Sequence, residues 1–427
     1  MSSATAAASS FASLSFDQKL DRLAEVAIRV GLGLHPGQEP AQELVLAAPT
    51  DALPFTRRVV AQAYKAGAKY VTTFFVDDAI VLARYQHAPD STFDYAPQWY
   101  YDAIANAYKS GAARMAITGA NPALLSGQDP QKVSRANVAT SKAYKPAMEL
   151  ITRHEINWTI VAAATPAWAA LVFPGEPEEL ALGKLWDAIF KTSRITGNDP
   201  VADWTEHGEN LKRRVDLLNA RRFHSLRFFT PDGSTDLTVG LADQHRWAGG
   251  GTTAGNGIYC QPNIPTEECF TTPHKDRVHG VVSASKPLSH QGTLIENIRC
   301  RFEAGRIVEV TATKGEEAIR KLISTDDGAR RLGEVALVPH NSPIAQSGIL
   351  FWNTLFDENA ASHIALGQAY STCLINGEKM SNEELAKLGA NESLIHVDWM
   401  IGNATMNIDG LSAAGSADPL MRDGDWV

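Results

Sequence analysis

The strongest constraint on the fold of this chain is a change in its apolar pattern near residues 200–220. Before that point, segments typical of strands alternate with segments typical of helices. The candidate strands are 43–48, 70–76, 114–118 and 158–164, and the candidate helices include 56–66, 134–154 and 178–193. Such alternation favours helices packed on a mainly parallel sheet. We therefore expect a Rossmann-like α/β domain over residues 1–210, with the 134–154 helix bent or divided at Pro146.

After a polar helix at 205–220 the chain consists of short runs in which apolar and polar residues alternate. These runs lie at 224–229, 235–240 and 277–284, and turn residues such as Pro231-Asp232-Gly233 separate them. The pattern predicts a mixed or antiparallel sheet. A chain of 427 residues also exceeds the roughly 250–300 residues at which one hydrophobic core stops growing. The predicted fold class is α/β, with the Rossmann-like domain followed by an α+β domain over residues 211–427.

The charge balance restricts the class of partner. The chain has 39 Lys and Arg residues against 48 Asp and Glu residues, a formal net charge of −9, which argues against nucleic acid or an anionic membrane surface. Its longest apolar stretch, 158–173, is shorter than the about 20 residues that a membrane span needs. Residues 1–15 are rich in Ala and Ser and lack the features of a secretory signal. We expect a cytoplasmic protein that acts on a small molecule or a peptide.

The cysteines and glycines exclude two kinds of cofactor site. The four cysteines, Cys260, Cys269, Cys300 and Cys373, lack CxxC spacing, so neither a disulfide framework nor a thiolate zinc site is predicted. The glycines near residues 31–37 follow a helix instead of a strand, which is the wrong context for a dinucleotide-binding loop. Any metal would therefore be held by carboxylates and imidazoles.

Two acidic positions in the second half stand out. Glu267 and Glu268 are adjacent in a stretch bounded by Pro265 and Pro273, which restrict the backbone and suit carboxylates that must be held in place. An exposed acidic turn is the alternative.

Glu334 begins an apolar run that is predicted to be a buried strand. A buried carboxylate needs a cation, which Arg330 or Arg331 could supply in a simple salt bridge.

The segment 356–370 has a helix-like apolar rhythm. His363 and Tyr370 are about two helical turns apart and would share one face of such a helix, whereas Glu358 would reach that face only if the chain turns there. A structural role for His363 is the simpler interpretation of this segment alone.

His396 and Asp398 lie two residues apart in an apolar strand-like run, so both point to the same face. A metal site explains this pairing, and a His/Asp acid–base relay is the rival interpretation. Together with the acidic positions above, the last part of the chain offers enough ligands for two metal ions that share a bridging water.

The same residues carry a resemblance to a known family. Five stretches match it in one order, namely NIPTEECFTTP (263–273), PLSHQGTLIENI (287–298), GEVALVPHNSPI (333–344), GILFWNTLFDENAASHIALGQAY (348–370) and SLIHVDWMIG (393–402). On these motifs the chain resembles the thermophilic-type metalloaminopeptidases, the family of aminopeptidase T, aminopeptidase S and PepS-like enzymes. The resemblance is strongest over residues 260–410 and weaker over the first half.

The resemblance implies a metal-dependent aminopeptidase that removes N-terminal residues from short peptides. It implies two divalent ions, Zn, Co or Mn, and a homodimer whose active sites face an internal cavity. The implied metal-binding residues are Glu268, Glu334, Glu358, His363, Tyr370, His396 and Asp398. Glu358 is implied either as a ligand or as a residue beside the ligands, and Tyr370 as a ligand or a donor to the oxyanion. Of the adjacent pair, Glu268 is taken as the ligand and Glu267 as the general base.

Two other functions remain open at this level. One is a metal-dependent hydrolase of a non-peptide amide, and the other is a non-catalytic ligand-binding relative that kept the fold. The HExxH motif is absent, so a zincin-like site is not predicted.

Overall fold

A computed structural model describes residues 11–39, 41–290 and 293–427. Residues 1–10 of the Ala- and Ser-rich segment lie outside this range. The described chain divides into two compact units, one formed by the residues up to Gly208 together with Gly251–Pro265, and the other by Glu209–Gly250 and Thr266–Val427. No helix within the described residues is both long and apolar enough to cross a membrane.

The helices and strands are numbered in chain order. The helices are α1 Phe16–Val26, α2 Leu53–Lys65, α3 Asp78–His87, α4 Gln98–Lys109, α5 Pro130–Thr152, α6 Pro166–Val172, α7 Glu178–Thr192, α8 Pro200–Arg221, α9 Glu316–Leu322, α10 Pro343–Ser347, α11 Thr354–Asp357 and α12 Asn382–Lys387. The strands are β1 Glu43–Pro49, β2 Tyr70–Val76, β3 Ala113–Thr118, β4 Trp158–Ala162, β5 Ser225–Phe229, β6 Asp236–Leu241, β7 Thr252–Thr253, β8 Tyr259–Cys260, β9 Asn263–Ile264, β10 Cys269–Thr271, β11 Pro273–Ser283, β12 Leu288–His290, β13 Thr293–Ile295, β14 Arg299–Glu303, β15 Arg306–Thr311, β16 Leu332–Leu337, β17 His363–Gly367, β18 His396–Met400, β19 Asn407–Leu411, β20 Ala417–Arg422 and β21 Asp425–Trp426.

The first unit is built on a parallel sheet in the order β2-β1-β3-β4-β9. Strand β1 lies inside this sheet, and its Leu44 and Leu46 are fully buried, as expected of a strand whose faces are covered. The predicted strands and parallel pairing are therefore confirmed. Of the two effects predicted for Pro146, a bend or a division of the helix, division is wrong, because α5 runs from Pro130 to Thr152 as one helix with Pro146 inside it.

The second unit is antiparallel throughout its larger sheets. An eight-stranded sheet has the order β15-β14-β11-β6-β5-β19-β20-β21, and a four-stranded sheet has the order β10-β16-β17-β18. The core of this unit contains large side chains that are almost completely buried, among them Trp247, Phe302 and Trp399. Of the two sheet types expected for this half, the antiparallel one is observed. The four-stranded sheet carries the chemistry described next.

Candidate metal centre

The candidate site lies on one face of the four-stranded sheet. Glu334 of β16 is paired with Ala365 of β17, and Ala365 is paired with Asp398 of β18. Directly paired residues point to the same face, so the two carboxylates flank the small side chain of Ala365. Their backbones are two strand spacings apart, roughly 9.5 Å. The gap above Ala365 is therefore open to polar side chains from neighbouring positions.

Two histidines reach this gap from the first residues of β17 and β18. His363 Nε2 lies 3.2 Å from Glu268 Oε2 and 3.5 Å from Glu334 Oε1. His396 Nε2 lies 3.5 Å from Glu334 Oε2 and 3.5 Å from Asp398 Oδ1. These side chains form two compact groups, Glu268–Glu334–His363 and Glu334–His396–Asp398. Glu334 belongs to both groups, and each of its oxygens faces a different imidazole.

The structure separates the two adjacent glutamates. Both are buried, with exposed fractions of 3% for Glu267 and 7% for Glu268, so the alternative of an exposed acidic turn is wrong. Glu268 Oε2 lies 3.2 Å from His363 Nε2 and belongs to a candidate metal group, whereas Glu267 belongs to neither of the two groups found among the described residues. Burial lowers the pKa of Arg214, and Glu267 is one of the acidic groups that partly oppose this effect.

Backbone carbonyls orient both imidazoles. Ala361 O lies 3.1 Å from His363 Nδ1, and Gln368 O lies 2.7 Å from His396 Nδ1. A carbonyl oxygen only accepts hydrogen bonds, so each Nδ1 carries the hydrogen. In both rings Nε2 is therefore the nitrogen that faces the carboxylates, and such an outer hydrogen bond is typical of metal-binding histidines.

The pKa shifts show how negative and positive charges are balanced in the metal-free site. Burial, followed by the effects of Asp398 and Glu268, raises the pKa of Glu334 to about 7 against an opposing hydrogen bond from His363. Burial by itself would lower the pKa of His363, but Glu268 and Glu334 outweigh it and the net pKa lies well above its usual value. Burial would also lower the pKa of His396, but Asp398 and then Glu334 outweigh it and raise this pKa to about 9. Protonated imidazoles therefore compensate the buried carboxylates.

The donor set fits a divalent cation. Asp398 Oδ1 is buried and makes no hydrogen bond, and its neighbour His396 Nε2 at 3.5 Å lies beyond the usual range of about 2.7–3.2 Å. A buried carboxylate oxygen without a partner is costly. Carboxylate oxygens and imidazole nitrogens are ligands that zinc and related ions accept, so a cation at this position would satisfy the unpaired oxygen.

Glu358 and Tyr370 lie next to these two groups. Glu358 opens a short 3₁₀ turn, Glu358–Ala360, which provides the change of direction that the sequence required. Its pKa is raised well above the usual value, first by burial and then by Glu268 and Asp398. The ring of Tyr370 lies 4.7 Å from that of His396. The pKa of Tyr370 is raised well above its usual value, first by loss of hydration and then by nearby carboxylates, of which Glu334 has the largest effect. Its hydroxyl therefore keeps its proton.

Two local interpretations of the sequence are wrong. The segment that carries His363 and Tyr370 is not a helix, because His363 begins β17 and Tyr370 lies beyond the end of that strand. All residues of β17 are buried, so the strand is an apolar run that lacks the period-two alternation by which a half-buried strand is recognised. The arginines proposed to neutralise Glu334 are engaged elsewhere, since Arg331 pairs with Asp276 at 2.7 Å and Arg330 Nε donates to Ile323 O.

Asn359 is a supporting residue that the sequence interpretation missed. It is fully buried, and its Oδ1 accepts a hydrogen bond of 2.7 Å from the backbone N–H of Glu267. Its Nδ2 donates to Leu355 O at 3.1 Å. Asn359 therefore ties the Glu267–Glu268 backbone to the turn that presents Glu358. No local signal in the sequence marks it, because it directly follows the acidic pair Asp357-Glu358.

We expect Asn359→Ala to lower the free energy of unfolding by about 2 kcal/mol, because two buried backbone groups lose their partners. Denaturant unfolding of the metal-free protein measures this change. The matched control is Asn382→Ala, since Asn382 is exposed on α12 and such changes stay within about 0.5 kcal/mol. Equal effects of the two substitutions would show that the buried amide has no special role.

Comparison with known proteins places this geometry in a family. The family model described as thermophilic metalloprotease (M29) matches residues 16–426. Aminopeptidase T of Thermus thermophilus is 52% identical over 412 residues, which cover 96% of this chain and 99% of that protein. Aminopeptidase AmpS of Bacillus subtilis is 45% identical over 413 residues, or 97% of this chain and 99% of that protein.

Solved structures agree with the sequence comparisons. The structure of wild-type AmpT from Thermus thermophilus has a TM-score of 0.91 and 51% sequence identity, and covers 97% of this chain and 100% of that one. A 2,5-dihydroxypyridine dioxygenase from Pseudomonas putida has a TM-score of 0.52 at 14% identity over 97% of this chain, a likeness of fold alone. On the full-length match of the family model and its relatives, this chain belongs to the thermophilic metalloprotease family M29.

Proposed function

We propose that this chain is a metal-dependent aminopeptidase that removes N-terminal residues from short peptides at a site for two divalent ions. The observation that carries the proposal is the pair of ligand groups that share Glu334. A shared carboxylate is the arrangement needed to hold two ions close enough for one water to lie between them. The names of the relatives, aminopeptidase T and AmpS, support peptide N-termini as the substrate class.

Five residues of the chain would hold the two ions. Glu268 and His363 would hold one ion, and His396 and Asp398 the other, while Glu334 would bridge the two. When bound, a pair of divalent ions lowers the pKa of a water between them and polarises the scissile carbonyl, and Zn, Co and Mn all accept these ligands.

We assign the proton transfer to Glu358 instead of Glu267. Glu358 lies beside Asp398 at the wall of a recess and outside the two compact groups, whereas Glu267 does not line that recess and acts electrostatically on the buried Arg214. A carboxylate with a raised pKa is suited to accept a proton from water and to return it to the leaving amine. Tyr370, which keeps its proton, is suited to donate a hydrogen bond to the developing oxyanion.

Metal removal tests the proposed function directly. We expect dialysis against a chelator to abolish hydrolysis of aminoacyl-p-nitroanilides, and addition of Zn, Co or Mn to restore it. Elemental analysis should give two ions per chain, and N-acetylated substrates should resist cleavage because an exopeptidase requires a free amino terminus. Failure to cleave any such substrate under all three metals would contradict the proposal. Cleavage confined to non-peptide amides would favour the alternative hydrolase, and metal binding without hydrolysis would favour a ligand-binding relative.

Three further features belong to the proposal. We place the protein in the cytoplasm, in agreement with its four free cysteines, since reduced thiols persist in reducing compartments. We propose a Rossmann-like domain up to residue 210 and a catalytic domain from residue 211. We also propose a homodimer, for which light scattering coupled to size exclusion should give twice the chain mass of 46.2 kDa.

A further inference from the structure

A small recess adjoins the candidate metal centre within the second unit. Its accessible volume is about 50 Å³, and Glu358 and Asp398 form one side of it. The other sides are formed by Pro287–Ser289, Trp352–Thr354, Asp357 and Met400. The proposed ligand Asp398 and the proposed base Glu358 are thus part of its wall, so a molecule held at the metal centre would extend directly into the recess.

The wall contributed by Trp352 is held in an unusual conformation. Trp352 has a φ of +58°, in the left-handed region that bulky residues rarely adopt. The Asp357 carboxylate accepts hydrogen bonds from the backbone N–H groups on both sides of this residue, from Phe351 at 2.8 Å and from Asn353 at 2.9 Å. Residues in such conformations persist where the surrounding structure over-determines them, and they cluster at ligand sites. Asp357 therefore fixes the backbone on both sides of Trp352.

We propose that this recess receives the side chain of the substrate's N-terminal residue, with Trp352 as the residue that limits its size. This inference rests on the proposed aminopeptidase function. In an aminopeptidase the first side chain is attached to the carbon next to the scissile carbonyl, so its pocket must adjoin the metal ligands, as the recess adjoins Asp398 and Glu358. Trp352, Pro287, Leu288 and Met400 contribute apolar groups to a lining that also contains the carboxylates of Asp357, Glu358 and Asp398.

The recess is small. A water-sized group needs roughly 10–15 Å³ of accessible volume, so about 50 Å³ accommodates a few such groups. A bulky residue in its wall, such as Trp352, therefore limits how large a substrate side chain can enter.

Two substitutions with opposite effects test the proposal. Trp352→Ala widens the recess and should raise the ratio of kcat/KM for Phe-p-nitroanilide to that for Leu-p-nitroanilide by about tenfold, because pocket fit discriminates by that order. Thr354→Trp should fill the recess from an exposed position and lower the ratio for Leu- to Ala-p-nitroanilide by about tenfold. The matched control is Trp99→Ala, an exposed tryptophan of the first unit, which should leave both ratios unchanged.

Ratios that stay within about twofold of wild type in the folded variants overturn the pocket assignment. If circular dichroism shows that Trp352→Ala does not fold, the Thr354→Trp variant decides alone, because Thr354 is exposed. Absence of hydrolysis by the metal-loaded wild-type protein would instead contradict the aminopeptidase function itself, so the two failures are distinguishable.

Discussion

Glu334→Gln is expected to lose both bound metal ions and to reduce kcat/KM by roughly 10³-fold or more, as when a member of a catalytic unit is removed. The reason is geometric, since each carboxylate oxygen of Glu334 faces a different ligand group. The glutamine amide has one good acceptor atom and no negative charge, so it cannot serve both groups. Elemental analysis and aminoacyl-p-nitroanilide hydrolysis measure the two losses.

The fold of this variant should survive. Glutamine matches the size of glutamate and avoids the cost of burying an ionised carboxylate, a cost that is seen in the raised pKa of Glu334. The metal-free variant should therefore unfold at nearly the same denaturant concentration as wild type, but added metal should no longer raise its melting temperature, because only binding to the folded state stabilises. Glu383→Gln is the matched control, as Glu383 is exposed on α12.

His396 and Asp398 each belong to only one of the two ligand groups, so their loss should affect metal content less than the loss of Glu334. His396→Ala and Asp398→Ala each remove a member of one group and leave Glu268–Glu334–His363 complete. We expect these variants to stay folded, to lose activity and to retain at most one ion per chain. Full metal content in either variant would contradict the assignment of that residue as a ligand.

Glu358→Gln should have the second large effect, a fall in kcat of about 10²–10⁴-fold, the usual contribution of a general acid–base group. Its metal content should stay at the wild-type value, because Glu358 lies outside both compact ligand groups. The amide keeps the size of the side chain but cannot accept a proton from water, so KM should change little.

The outcome also decides between the two roles that the sequence left open for Glu358. Loss of one ion together with loss of activity would identify Glu358 as a ligand and would contradict its role as the base. Glu267→Gln is the informative comparison, because Glu267 belongs to neither ligand group and does not line the recess beside them. This substitution should reduce kcat far less than Glu358→Gln. A larger effect at Glu267 would return the base to the residue that the family resemblance suggested.

Some features of this site followed from local sequence. The shared orientation of His396 and Asp398 could be predicted because side chains of a strand alternate with a period of two, and β18 confirms that strand. By contrast, the helical interpretation of His363 failed because the buried strand β17 has no alternation, and a short apolar run does not distinguish a strand from a helix.

The sequence by itself determined the α/β class, the parallel and antiparallel halves and, through its motifs, the family and the residue types of the metal centre. These depend on periodicity and composition within short segments, which are local properties. Only the tertiary structure decided that Glu334 joins two ligand groups, that Glu268 and not Glu267 belongs to one of them, that Asn359 supports the site and that Trp352 lines a recess beside it. Each of these depends on strand register or on contacts between distant segments, such as the pairing of Glu334, Ala365 and Asp398. Local periodicity carries no information on which strands become neighbours.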